Sequence, residues 1–371
     1  MKKIFIIILI LILVPLVPLD CFADDYEKIY DELGIKEIFE FDAEIFPELD
    51  FENIFNNLFN GNGVDIKLIF IEIFKYITTL FTSHYKVLMS IVILGFLVSI
   101  TNILKSQDKA ITETVFNISY VLYAIVIVYF FTNSLKSVKD LLDCLVLTIQ
   151  SFIPVMLSLL GLSGGITSSS LISSSLLMMV EMLTHIINVV VLPLITSSVT
   201  ISIANNMSNK INIGSMVSLM RQSAKWILGF CLAVYTGFYS VYGLVGSALD
   251  NRIGKAARYA LGRGIPVVGG VVAETIETVM TTFGAVRNIT GSAAVIFFCL
   301  YCIAPMIKTV IYLLIFKLAA IVLEPISDSR IIALTTETSE AISLVLSVLI
   351  AVFLLLVGAV GIILITGNFI N

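Results

Sequence analysis

Residues 342–366 read ISLVLSVLIAVFLLLVGAVGIILIT, twenty-five residues without a charged side chain. As a helix rising about 1.5 Å per residue the run is roughly 37 Å long, enough to cross a hydrocarbon core of about 30 Å. Working outward, Val87–Leu104, Val115–Asn133, Leu176–Ala204 and Trp226–Leu249 are spans by the same criterion. Residues 291–326 form another apolar block, too long for one crossing. Lys308, shortly after Pro305, divides it into spans 291–307 and 309–326, a tight helical hairpin. Two weaker segments remain. Leu141–Leu162 carries Asp143, Gln150 and Pro154, and Ile265–Val286 carries Glu274 and Glu277 one turn apart. The second crosses, re-enters or lies along the interface. The predicted fold class is all-α: a polytopic helical membrane protein of about seven or eight spans.

Composition agrees. Of 371 residues, 58% are hydrophobic and 13% charged, about half the charged share of a soluble domain, and mean hydropathy is +1.04. The net charge of −5 conceals an asymmetry. Residues 24–65 hold thirteen Asp/Glu against Lys28 and Lys36, whereas 66–371 hold thirteen against eighteen Lys/Arg. An acidic head precedes a mildly basic body, and a head of that sign has no counterions to release from nucleic acid.

The chain divides into three parts. Lys2 and Lys3, the apolar run Ile4–Leu19 and the small-residue site Cys21-Phe22-Ala23 form a secretory signal pattern over 1–23; the other reading is an uncleaved first span. Residues 24–84 are an acidic, helical, extracytoplasmic head closed by Asn60-Gly61-Asn62-Gly63, followed by an interfacial helix from Lys67 to His84. Residues 85–371 are the multi-span body. If 141–162 crosses, the positive-inside tally favours a cytoplasmic cluster from Arg252 to Arg263. Arg287 and Arg330 then count among cytoplasmic loop cations, and Arg221 and Lys308 among outside ones.

Polar groups inside spans are the candidates for function. Glu181 and His185 lie at i, i+4 on one helix face, as a proton relay, a channel lining or a packing pair. Lys317 lies mid-span and calls for a wet cavity or a carboxylate, which Glu181 or Glu324 could supply. Ser163-Gly164-Gly165, leading into a hydroxyl-rich run to Ser175, and Gly262-Arg263-Gly264-Ile265-Pro266-Val267-Val268-Gly269-Gly270 mark a loop, close helix approach or, as the third reading, broken helices. In a broken helix the backbone must meet protein or water. Gly164, Gly165, Pro266, Gly269, Gly270, Glu274 and Glu277 are accordingly the candidate pore-proximal positions. Gly237, Gly243 and Gly246, with Gly358, Gly361 and Gly367, point to close helix packing and oligomers. Catalysis finds little support. His84 and His185 are the two histidines, no His/Cys/carboxylate group has zinc spacing, and there is no P-loop. Cys299 and Cys302 form a CxxC inside a predicted span and read as small buried residues. No cofactor is expected.

Over 163–328 the order of Ser163-Gly164-Gly165, Ile265-Pro266-Val267-Val268-Gly269-Gly270, Val286-Arg287-Asn288, Cys302-Ile303-Ala304-Pro305, Lys317-Leu318-Ala319-Ala320 and Glu324-Pro325-Ile326-Ser327-Asp328 resembles the stage III sporulation protein AE family of endospore-forming bacteria. The resemblance implies a non-enzymatic membrane subunit of the secretion-like channel complex that joins mother cell and forespore. Its partners would be other membrane proteins of that complex and a forespore-side protein, with self-association a further expectation and no nucleic acid. The location implied is the mother-cell membrane around the forespore, head extracytoplasmic. A secondary transporter of a small solute or ion is the alternative, since broken helices and intramembrane charges also suit one.

Overall fold

The computed structural model describes residues 57, 66–103, 109–207, 213–264 and 269–368. Side chains at 66, 101–112, 144, 145, 148, 166–168, 171–174, 239, 242–277 and 365–368 lie outside the description. So do the predicted signal peptide, acidic head, Gly61-to-Gly63 linker and Pro266, and the side chains of Glu274 and Glu277.

Every described element is helical, and no strand occurs among the described residues. The helices are α1 (Ile66–Ile103), α2 (Lys109–Leu162), α3 (Ile166–Ile186), α4 (Leu192–Met207), α5 (Gly214–Gly264), α6 (Gly269–Leu323) and α7 (Ser329–Asn368), with a five-residue π-helical turn (Ile187–Val191) joining α3 to α4. Among the described residues, five segments are long and apolar enough to cross a membrane: Lys67–Ile100, Glu113–Asp143, Ser175–Met207, Thr278–Leu323 and Ser329–Leu364.

The helix that opened the sequence reading is the axis of the bundle. The most apolar window of α7 is 67% buried, against 28–39% in the other four segments. It packs most extensively along α6, and also against α2, α5 and α4. Ile342, Val345, Val348, Leu349, Leu356 and Ile363 are fully covered. Between helices in lipid the hydrophobic effect gives no drive, so close packing and interhelical hydrogen bonds hold such a core.

The helices are longer and fewer than the expected spans. The interfacial helix and the span at 87–104 are one helix, α1. Segments 115–133 and 141–162 are also one helix, with no reversal between them. At 54 residues, α2 is about 81 Å long, well beyond the ~30 Å a bilayer requires. The hairpin expected at Lys308 is absent: α6 runs unbroken for 55 residues through Pro305. Pro305 has no N–H to give the Tyr301 carbonyl, and packing against α7, α2 and α1 carries the helix through that one missing bond. Thr309 Oγ1 donates to the Pro305 carbonyl at 2.8 Å, as Ser158 Oγ does to Pro154 at 2.9 Å. Lys308 is half-buried along the helix and needs no turn to reach solvent. The true reversal comes at Glu324-Pro325, where α6 stops. There Asp328 Oδ1 accepts the Arg330 backbone N–H at 2.9 Å and caps the start of α7.

Candidate functional site

The buried polar groups gather at two ends of the bundle. At one end α2 becomes α3 through Ser163-Gly164-Gly165. Gly164 has φ 98°, a left-handed conformation that suits glycine. A Cβ on Gly165 would lie 2.8 Å from Leu160 Cδ1 and 2.9 Å from its carbonyl oxygen. The turn closes on itself: Gly165 N–H donates to Leu160 O at 2.9 Å and Gly164 N–H to Gly161 O at 3.1 Å. Ser169 Oγ reaches back to Leu157 O at 2.7 Å. The stretch is a tight turn between α2 and α3, which pack against each other, and its backbone is satisfied by protein.

Arg287 of α6 is aimed at this turn. It is fully buried; Nη1 donates to Ser163 Oγ at 2.7 Å and Nη2 to Asn288 Oδ1 at 3.1 Å. Its Nε and the hydroxyl of Thr290, one turn on, have no partner. The guanidinium is held by neutral groups, with no carboxylate bridged to it among the described residues.

At the other end the first turns of α7 meet α4 and α5. Arg221 Nη1 donates to Glu340 Oε2 at 2.6 Å and Nη2 to Ser202 Oγ at 3.1 Å. Glu337 also accepts from Asn206 Nδ2 at 3.1 Å and lies 4.0 Å from Arg221. Nearby, Arg330 bonds Asp328 at 3.2 Å and stacks 3.5 Å over the Phe116 ring. Tyr120 Oη donates to Ile203 O at 3.0 Å, and the hydroxyls of Tyr123 and Thr335 lie 2.6 Å apart. Ser99 and Ser327 tie α1 to the same end at 2.6 Å.

Sequence reasoning put Arg221, Arg287 and Arg330 in loops. Arg221 and Arg287 are buried and Arg330 is half-buried. A signal for Arg287 was there: Gly284, Ala285 and Gly291 flank it with the small residues that let a partner helix approach.

The groups singled out for intramembrane roles lie elsewhere. Glu181 and His185 of α3 are exposed, as is Asn188 in the π-helical turn. No hydrogen bond or ion pair joins Glu181 to His185, or either to another described residue. The π-helical turn follows from Pro193, which has no N–H to give Val189; Leu192 N–H bonds Ile187 O instead. Lys317 is also exposed, beside Leu314, Leu318 and Ile321 at 49%, 43% and 63%. Glu324 is exposed just past the end of α6, and no ion pair links Lys317 to Glu324 or Glu181. Gly269 and Gly270 begin α6. Any partner these outward groups have comes from outside the described chain.

The expected glycine packing holds at Gly358, where a Cβ would stand 2.8 Å from Tyr235 Cε1 and Oη. Gly237 has nothing within 4 Å. Among the described residues no three His, Cys, Asp or Glu side chains converge to hold a metal. Cys299 and Cys302 form no disulfide.

The model of the family described as Stage III sporulation protein AE matches residues 49–367. A protein of Bacillus subtilis (strain 168) named Stage III sporulation protein AE is 25% identical over 300 residues, covering 80% of this chain and 75% of that one. No solved structure matches.

Proposed function

Because the chain belongs to the stage III sporulation protein AE family, we propose that it is a membrane subunit of a sporulation-specific, secretion-like channel complex linking mother cell and forespore. The observation that carries this reading is the extent of the family match, which takes in nearly all of the described helical bundle. The chain works as a structural, non-enzymatic component. It sits in the mother-cell membrane around the forespore and crosses it several times. The acidic segment 24–65 faces the intermembrane space and docks with extracytoplasmic domains of partner subunits. The outward-facing Glu181, His185 and Lys317 then meet neighbouring proteins rather than lipid. The outcome that would sink the proposal is a deletion strain whose engulfed forespores develop and express late genes normally.

A secondary transporter is the second reading. It is favoured by the buried Arg287 set against the glycine turn at 163–165, since buried charges inside a helical bundle mark solute sites in transporters. Solute uptake into proteoliposomes by the purified chain alone would support it, and the channel-subunit reading expects none.

A further inference from the structure

The helix from α3 through the π-helical turn to α4 carries an outward polar seam that nothing in this chain covers. Glu181, His185 and Asn188 follow one another at spacings of four and three, the rhythm of a helix–helix contact. All three are exposed, within the apolar segment Ser175–Met207. A carboxylate, an imidazole and an amide turned outward at that depth need hydrogen-bonding partners that lipid tails cannot supply. Further along, Thr196, Thr200 and Ala204 are half-buried or exposed at four-residue spacing. Their hydroxyls are already satisfied by carbonyls of their own helix, Thr196 to Leu192 at 2.9 Å and Thr200 to Thr196 at 3.1 Å. The extra residue taken up by the π-helical turn returns these small side chains to the same seam as Asn188. Small residues four apart let two membrane helices approach closely.

We propose that this face is where two copies of the chain pair side by side in the membrane, Glu181 of one accepting a hydrogen bond from His185 of the other. The occupant follows from charge and depth. Glu181 and His185 complement each other, and a second copy in the same bilayer presents its His185 one helical turn, about 6 Å, from the depth of Glu181, within reach of the two side chains. The inference rests on reading 175–207 as a membrane span and is independent of the sporulation role.

The test uses the full chain in membranes. Met178→Cys and Thr200→Cys on the seam are compared under oxidation with Phe230→Cys, exposed on α5, and with the unsubstituted chain. Disulfide-linked dimers are expected from the two seam variants, with the other two remaining monomeric. Adding Glu181→Leu and His185→Leu should lower the cross-linked fraction about three- to fivefold. The exchange Glu181→His with His185→Glu should restore it. Seam variants that cross-link no better than Phe230→Cys would overturn the proposal. So would cross-links to a different protein alone, free labelling of seam thiols by a water-soluble reagent without dimers, or an exchange that fails to restore pairing. The seam cysteines replace outward residues, so the disulfide result decides even if the leucine variant folds poorly. Dimers in cells whose forespores do not need the protein would leave the pairing standing and remove the sporulation role.

Discussion

Arg287 Nη1 donates to Ser163 Oγ at 2.7 Å, so a fully buried guanidinium in α6 meets the turn where α2 becomes α3. Ser163 in turn donates to Leu160 O at 3.0 Å and keeps that bond if the arginine goes. Replacing a buried charge by an apolar side chain of similar volume is often neutral or stabilising. Arg287→Met should therefore unfold in detergent at or above the temperature of the unsubstituted protein. Arg287→Ala leaves a cavity and should cost about 3–5 kcal/mol. Thermal unfolding of the two variants checks this; equal, large losses would show that the charge itself holds the turn.

Gly164 is held at φ 98° in that turn. Gly164→Ala should cost about 1–2 kcal/mol, and Gly164→Asn less, because asparagine enters the left-handed region more readily. Denaturant unfolding of the three chains gives the order.

Tyr235 lies against Gly358 and donates its hydroxyl to Leu355 O at 2.7 Å. Gly358→Ala pushes the ring away and should cost about 1–3 kcal/mol. Tyr235→Phe loses the hydrogen bond, worth about 1 kcal/mol. The double variant should fall short of the sum, because displacement of the ring already breaks the bond. A double-mutant cycle measures the shortfall.

Arg221 is nearly buried, whereas Glu340 is 61% exposed. Loss of the arginine leaves Glu337 and Ser202 with fewer partners, so Arg221→Ala should destabilise by about 1–3 kcal/mol. Glu340→Gln should cost under about 1 kcal/mol, since water screens that side. Melting temperatures of the two variants, compared side by side, check the order.

The class of fold was legible because uncharged runs such as 342–366 have one physical solution. The turn at 163–165 lay among the alternatives that the glycine pair left open, since glycine pairs amid small residues rarely continue a buried helix. Helix continuity was not legible. Lys308 after Pro305 looks like a turn in sequence, yet the surrounding helices let α6 run on. Nor could periodicity separate a charge inside the bundle from one on its outer face. Arg287, read as a loop cation, is buried, while Lys317 and Glu181, read as intramembrane groups, face outward. Burial depends on which helices become neighbours, and a single sequence does not carry that.

The most direct measurement is late gene expression in the forespore after engulfment, in a strain deleted for this protein and complemented from a promoter active in one cell at a time. A membrane subunit of the mother-cell side of the channel predicts low reporter activity in the deletion, restored when the protein is made in the mother cell alone. Full reporter activity in the deletion strain, or rescue by forespore production alone, would contradict it.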